Sequence, residues 1–361
     1  MYKSIGRIGH RHRLGFAALA LALSMSGGVQ AESPPAQGEG LSIPAFTMPL
    51  SELSSEAQNQ AYLASLATPG DGTIPIPDDP KMVAVMRKMV DAMFEKSLPY
   101  VYERYRVETV ADTIGGVEVI RVRPKGSVAK KYRKSVLINL HGGSFMVGWP
   151  SVALLDAVPV AALSGMEVIT VHYRLYPEAV HPAALEDVTN VYRVLLKEYK
   201  AKNIGIFGGS AGGVLTLQAV PWLRDQGLPT PGAIAPLSAA FQTAIGDSAI
   251  WNFRGGFSPP GTVLVPPKGY LGAHNRRDWV PGTSPDDLTD YPPTLWLAGT
   301  RAPETSGVIT GHSKMLKAGV ASELYMIEGG WHTSYSSAPQ TPESQDAMAY
   351  IARWFTKRLN R

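Results

Sequence analysis

Short apolar runs and stretches with helical periodicity take turns along most of this chain. The run Ser135–Leu140 is β-branched and apolar at successive positions, the pattern of a strand buried on both faces. Similar runs recur at Glu167–Tyr173, 203–207, near Ala233–Leu237, and at Thr294–Ala298 and Glu323–Ile327. Between them lie helix-period segments near 151–163 and at Ala183–Tyr199, Val214–Leu223, Val308–Ala318 and Ser344–Leu359. Doubly buried strands separated by helices predict an α/β chain built on a mainly parallel sheet with helices on both faces. Ahead of this alternation, Tyr105–Asp112 and Val117–Val122 alternate with period two around Gly115-Gly116, which predicts a hairpin.

The pattern fails in two places. From about 239 to 290 the chain is rich in Gly, Pro, aromatics and charge, and a gap this long inside a compact domain predicts an insertion that caps a site. Its Trp251, Phe253, Phe257 and Trp279 suggest an apolar or aromatic pocket. Residues 32–104 read as an N-terminal arm and cap segment ahead of a catalytic domain at 105–361, with one short helix at Leu53–Leu66. Within the arm, Lys81–Glu95 places Met82, Val85, Met86, Met89, Val90 and Met93 at helical spacing. Such a stripe predicts core packing, with a flexible wall against an apolar ligand as the alternative.

Composition changes the picture only at the N-terminus. Lys3, Arg7, Arg11 and Arg13 precede an apolar Leu14–Met25, and Val29-Gln30-Ala31 supplies small residues, so 1–31 reads as a signal peptide cleaved after Ala31. The apolar part is shorter than the roughly 20 residues a membrane span needs. Removing 1–31 takes four basic residues and no acids from a chain with formal charge +4, which leaves the two signs balanced. Nothing in that balance suggests a nucleic-acid partner. Without cysteine there is neither disulfide nor thiol chemistry, and the reading is export to a bacterial periplasm or beyond.

The candidate chemistry sits where two of the apolar runs end. Ser135–Leu140 leads into His141-Gly142-Gly143-Ser144-Phe145, and 203–207 leads into Gly208-Gly209-Ser210-Ala211-Gly212-Gly213 and then a helix. Strand, glycine-flanked serine and helix is the context of a nucleophile elbow, in which Gly208 and Gly212 leave room that a Cβ would occupy. Ser210 is then the nucleophile, with the N–H groups of Ala211, Gly142 and Gly143 as donors to an oxyanion. His141 braces the glycine loop. A serine hydroxyl needs a base, and of the histidines outside the leader His332, in Glu328-Gly-Gly-Trp-His332, follows the last strand. His172 and His181 read as structural, His274 as a weaker rival in the insertion, and His312 as exposed on a helix. The acid belongs between serine and histidine, in the loop Gly299-Thr-Arg-Ala302-Pro-Glu304 after strand Thr294–Ala298. Glu304 is its only carboxylate, with Glu328 the main competitor and Asp290 lying before the strand.

These motifs resemble the hormone-sensitive-lipase-like branch of the α/β-hydrolase superfamily, the family IV bacterial carboxylesterases. The resemblance runs from about Ser135 to the C-terminus and includes His172-Tyr-Arg-Leu-Tyr-Pro-Glu178 and His181-Pro-Ala-Ala-Leu-Glu-Asp187. It implies an α/β-hydrolase fold and a cofactor-free carboxylesterase acting through Ser210 and His332, with no metal. Its substrate is a small-molecule ester, extending to bulky aromatic alkyl esters such as sulfonylurea-type herbicides, and a homodimer is compatible with it. Three positions depart from the family pattern. Ser144 stands for a third glycine, Gly209 for the aspartate before the nucleophile, and Ala302 for the triad aspartate, which moves the acid to Glu304. An amidase or peptidase with the same triad, and a catalytically dead binding module on this fold, are the alternatives.

Overall fold

A computed structural model describes residues 47–66, 79–126, 128, 130–241, 246–251, 269–271 and 285–359. The segment read as a signal peptide lies outside these residues. So do Phe253, Phe257, His274 and Trp279 of the insertion, and the side chain of Trp251.

The hairpin forms as β1 (Val107–Ile114) and β2 (Val117–Pro124), and Gly115 and Gly116 both take the positive φ its tight turn requires. The remaining strands are β3 (Val136–Leu140), β4 (Glu167–Val171), β5 (Ile204–Gly209), β6 (Ala233–Leu237), β7 (Thr294–Gly299) and β8 (Ser322–Ile327). They make one eight-stranded sheet in the order β1-β2-β4-β3-β5-β6-β7-β8. The pairs β1–β2 and β2–β4 are antiparallel and every other pair is parallel. Every residue of β3, β4, β5, β6 and β7 is buried, which explains their uninterrupted apolar sequence. At roughly 1.5–3 kcal/mol for each large apolar side chain buried, these strands and the helices covering them supply much of the driving force.

The helices divide between the two faces. On one lie α5 (Ala183–Leu195), α6 (Ala211–Asp225) and α8 (Thr305–Lys317), packed over residues such as Ile138, Ile206 and Trp296. The other carries α3 (Leu98–Arg104), α4 (Ser151–Ser164) and α10 (Pro342–Arg358), packed over Leu137, Phe207 and Leu297. Several boundaries move from the expected ones: α1 begins at Glu56 rather than Leu53, β1 is shifted two residues onward and β4 ends at Val171. The helix after Ser210 starts at Ala211 rather than Val214, because Gly212 and Gly213 occupy its first turn. The one after β7 starts at Thr305, which puts Glu304 directly before it, and α5 stops at Leu195, short of Tyr199. No helix among the described residues is long and apolar enough to cross a membrane.

Ahead of the sheet come α1 (Glu56–Leu66) and α2 (Pro80–Glu95). The methionine stripe of α2 is not core. Met82, Val85, Met89 and Met93 are 47–67 % exposed. The buried face is turned by a fraction of a helical turn and centres on Val83, fully buried against Met146 and Val147, with Met86 and Val90 beside it. Polar ties fix that orientation. Arg87 donates to the carbonyls of Met146 and Tyr176 and forms a two-pronged pair with Glu178, and Asp91 accepts from the Ser151 N–H. A helix held by those bonds has no freedom to roll its methionines inward.

Candidate active site

The carboxyl ends of the parallel strands all point to one edge, where loops from several strands converge. Ser210 follows β5 directly, with φ 53° and ψ −119°, a strained backbone for a non-glycine residue. The conformation is held from both sides: the Ser210 N–H donates to the Leu237 carbonyl at 2.9 Å, and its own carbonyl accepts from Val214 at 3.0 Å. Gly212 has no room for a Cβ, which would fall on the Leu140 carbonyl. The sharp turn thus needs glycine at its flank and places the strain on the serine itself.

His332 lies on the loop after β8 and Glu304 on the loop after β7. Ser210 Oγ is 2.9 Å from His332 Nε2, and His332 Nδ1 is 3.0 Å from Glu304 Oε2. The tautomer with its proton on Nδ1 serves both contacts, since Nε2 is then free to accept from the serine hydroxyl. Glu304 is almost fully buried; its 3.0 Å approach to Nδ1 is an ion-pair contact outside hydrogen-bond geometry, and among the described residues no group donates a hydrogen bond to either of its oxygens. The two rivals lie elsewhere. Glu328 accepts from Ser51 Oγ at 2.7 Å, and Asp290 faces Arg224 on the surface.

The glycine loop after β3 lies beside the serine: a Cβ on Gly142 would be 3.5 Å from that of Ser210. Gly143 has φ +115°, and its carbonyl accepts from the Met146 and Val147 N–H groups, closing the loop on itself. Ser144 and Phe145 continue in left-handed conformation, so the departure from glycine at 144 is carried as backbone strain on an exposed residue. His141 does the bracing expected of it. Fully buried, it donates from Nδ1 to the Gly142 carbonyl at 2.8 Å and stacks on Tyr173, while burial pushes its pKa down to about 4 and keeps it neutral.

The other histidines among the described residues are structural. His172 stacks on Trp149 and pairs with Glu118, and His181 is buried beside Tyr270. His312 corrects the expectation of exposure. It is half-buried and hydrogen-bonds Ser322 Oγ at the start of β8 at 2.7 Å, because its face of α8 lies against that edge strand rather than in solvent.

Three side chains near the site carried no sequence motif. Ser238, in left-handed conformation after β6, accepts the Thr333 N–H at 3.2 Å and so fixes the residue next to His332. Tyr335 and Asp156 are buried beneath Gly209, filling the space where a side chain on that residue would go. Burial raises the Asp156 pKa to about 7, with its hydrogen bond to Ser336 acting in the opposite direction. Burial also raises Tyr335 far above its usual value, and the charges of Asp156 and Glu304 act in the same direction. Only Asp156 left a trace in the sequence, as a lone carboxylate in the apolar segment Ser151–Ser164.

A mainly parallel sheet with serine, glutamate and histidine on the carboxyl-end loops of β5, β7 and β8 defines a hydrolase-type architecture, and the sequence comparisons agree: the chain belongs to the α/β-hydrolase fold family, which it matches over residues 137–336. It is 30 % identical over 245 residues, 66 % of this chain and 76 % of the other, to LipR of Mycobacterium tuberculosis, named as an acetyl-hydrolase. To an esterase of Acinetobacter venetianus it is 26 % identical, over 66 % of this chain and 80 % of that one. Among solved structures, the esterase E25 superposes with a TM-score of 0.78 at 26 % identity, covering 89 % of this chain and 99 % of that chain. An esterase of the bacterial hormone-sensitive lipase family shares the fold, with a TM-score of 0.69 at 24 % identity over 84 % and 99 % of the two chains.

Proposed function

We propose that the protein is a carboxylic ester hydrolase that works through an acyl-enzyme on Ser210. The observation that carries this reading is the alignment of Ser210 Oγ, His332 and the buried Glu304, through a hydrogen bond of 2.9 Å and an ion-pair contact of 3.0 Å. Removal of the serine proton by Nε2 makes Oγ a nucleophile toward the ester carbonyl, and the imidazolium so formed lies against the Glu304 carboxylate. The oxyanion accepts from the N–H of Ala211, unpaired as the first residue of α6, and from those of the glycine loop at 142 and 143. The helix dipole of α6 adds to that stabilisation. His332 then protonates the leaving alcohol and activates the water that releases the acid, so the cycle needs no cofactor.

The substrate class follows the relatives, which are named as acetyl-hydrolases and esterases: short acyl esters of small alcohols or phenols are the first substrates to test. Bulky aromatic alkyl esters, the sulfonylurea type included, are the second arm. Export through a leader at 1–31 belongs to the same reading, and the N-terminal sequence of the mature protein tests it. Retention of serine, base and acid in contact favours an enzyme over a binding module. The decisive experiment combines a fluorophosphonate probe with p-nitrophenyl acetate turnover. The wild type labels and turns over and Ser210→Ala does neither; an unlabelled, inactive wild type would leave only the binding module.

A further inference from the structure

We infer that the N-terminal segment 51–66 is a clamp that holds the acid and base loops in register, with Tyr62 as its positioning residue. This rests on the ester-hydrolase reading only for its kinetic consequences. The clamped loops are already joined to one another. Thr300 N–H donates to the Ile327 carbonyl at 2.9 Å, Arg301 N–H to that of Gly330 at 2.8 Å, and Gly329 N–H to Thr300 Oγ1 at 2.9 Å. Glu304 is three residues beyond Arg301, and His332 is two beyond Gly330. These loops leave β7 and β8, and β8 is the edge of the sheet among the described residues, so no other described strand supports the histidine loop from outside.

The segment 51–66 supplies that missing wall. Ser51 Oγ donates to the Glu328 carboxylate at 2.7 Å, Ser54 Oγ to the Glu328 carbonyl at 2.8 Å, and Ser55 binds Glu343 through both its N–H and its hydroxyl. Asn59 Nδ2 donates back to the Ser51 carbonyl at 2.9 Å, which fixes the serine turn onto α1. The approach is so close that a Cβ on Gly329, itself at φ +67°, would fall on Ser54 Oγ. One turn further along α1, Tyr62 is 5 % exposed and forms a small separate core with Trp331 and Ala338. Its ring centroid is 5.9 Å from that of Trp331, the residue before His332, and the Arg301 guanidinium lies 4.6 Å from the ring centre. A single side chain thus touches the loop of the base and the loop of the acid. Its partners precede each functional residue by only one and three positions, and catalytic geometry tolerates about 0.5 Å of drift. The clamp lies outside 137–336, the region shared with the family.

The test is kinetic and structural together. Tyr62→Ala should lower kcat for p-nitrophenyl acetate about tenfold with KM within about twofold, whereas Tyr62→Phe, which keeps the ring, should stay near wild type. In a Glu304→Gln background the same substitution should cost less than about twofold, because the contact that the clamp maintains is already lost. Amide exchange in 300–305 and 328–336 should quicken in Tyr62→Ala and not elsewhere. Unchanged kcat with unchanged exchange, or an equal loss in both backgrounds, overturns the inference. Should Tyr62→Ala fail to fold, the pair Ser51→Ala and Ser54→Ala removes the bonds to Glu328, together with the local Leu53 N–H bond to Ser51 Oγ, and is expected to give the same pattern at smaller amplitude. If Ser210→Ala keeps wild-type turnover, the ester-hydrolase reading falls, and the exchange measurement alone still decides the clamp.

Discussion

Replacing Glu304 by Gln changes almost no volume and removes one charge, so its effect isolates what the carboxylate does. At 3.0 Å from Nδ1, the carboxylate faces an imidazole that, in the proposed acyl-enzyme cycle, becomes positively charged as Ser210 attacks. With an effective dielectric constant of about 20, a unit pair at that distance is worth roughly 5 kcal/mol, and each 1.36 kcal/mol is tenfold in rate. The amide also donates as well as accepts. If its NH2 faces Nδ1, the ring must carry its proton on Nε2 and can no longer receive one from Ser210. Both effects act on the transition state rather than on substrate binding, so kcat should fall by about 10³–10⁴ while KM changes little. Glu304→Asp keeps the charge but withdraws it by one methylene, and should fall between Gln and wild type. The assay is steady-state turnover of p-nitrophenyl acetate, with thermal unfolding of each variant as a control. Turnover by Glu304→Gln within about threefold of wild type would mean that another group orients His332. Neither Glu328 nor Asp290 could fill that place without releasing its present partner.

Three further predictions concern the groups around the relay. A Cβ at position 209 would fall on the Tyr335 hydroxyl, so Gly209→Ala should cost roughly 1–3 kcal/mol of stability. In a Tyr335→Phe background the next neighbours lie at 3.3 and 3.4 Å, and most of that cost should vanish; equal costs in the two backgrounds, read by denaturant unfolding, would refute the packing argument. Asp156, with its pKa raised to about 7, holds its proton in the folded state where the unfolded chain has lost it. The fold therefore loses stability as pH rises from about 4 to 7. Asp156→Asn should remove that slope, gaining up to about 4 kcal/mol at pH 8 and almost nothing at pH 4, as urea titrations at the two pH values would show. His141 is shifted the other way, to about 4, so its stabilising effect is complete above pH 6.5 and is lost as pH falls toward 4. Acid unfolding should begin in that window and be shallower in His141→Asn; identical acid limbs would argue that the ring titrates normally.

What could be read from the sequence and what could not follow a physical division. Strands β3 to β7 were legible because a strand buried on both faces must be apolar at every position, a signal that needs no knowledge of its neighbours. The serine turn was legible for a related reason, since backbone that approaches backbone as closely as Gly212 approaches Leu140 excludes every side chain. Glu304 was singled out by elimination, as the one carboxylate in its loop, and the structure brings it to 3.0 Å from His332 Nδ1. The methionine face of α2 went astray because periodicity shows that apolar residues share a face without showing which arc is covered. That was decided by Arg87 and Asp91, polar residues 55 or more positions from their partners. Tyr62, Ser238 and Tyr335 were invisible for the same reason: each acts through a contact distant in sequence, and none stands in a pattern that its own neighbours impose. Local sequence thus specifies the groups that react, while their precision depends on long-range contacts. Substitutions that leave every motif intact, Tyr62→Ala among them, should therefore lower activity by loosening the 2.9 and 3.0 Å contacts, with the reacting groups still present.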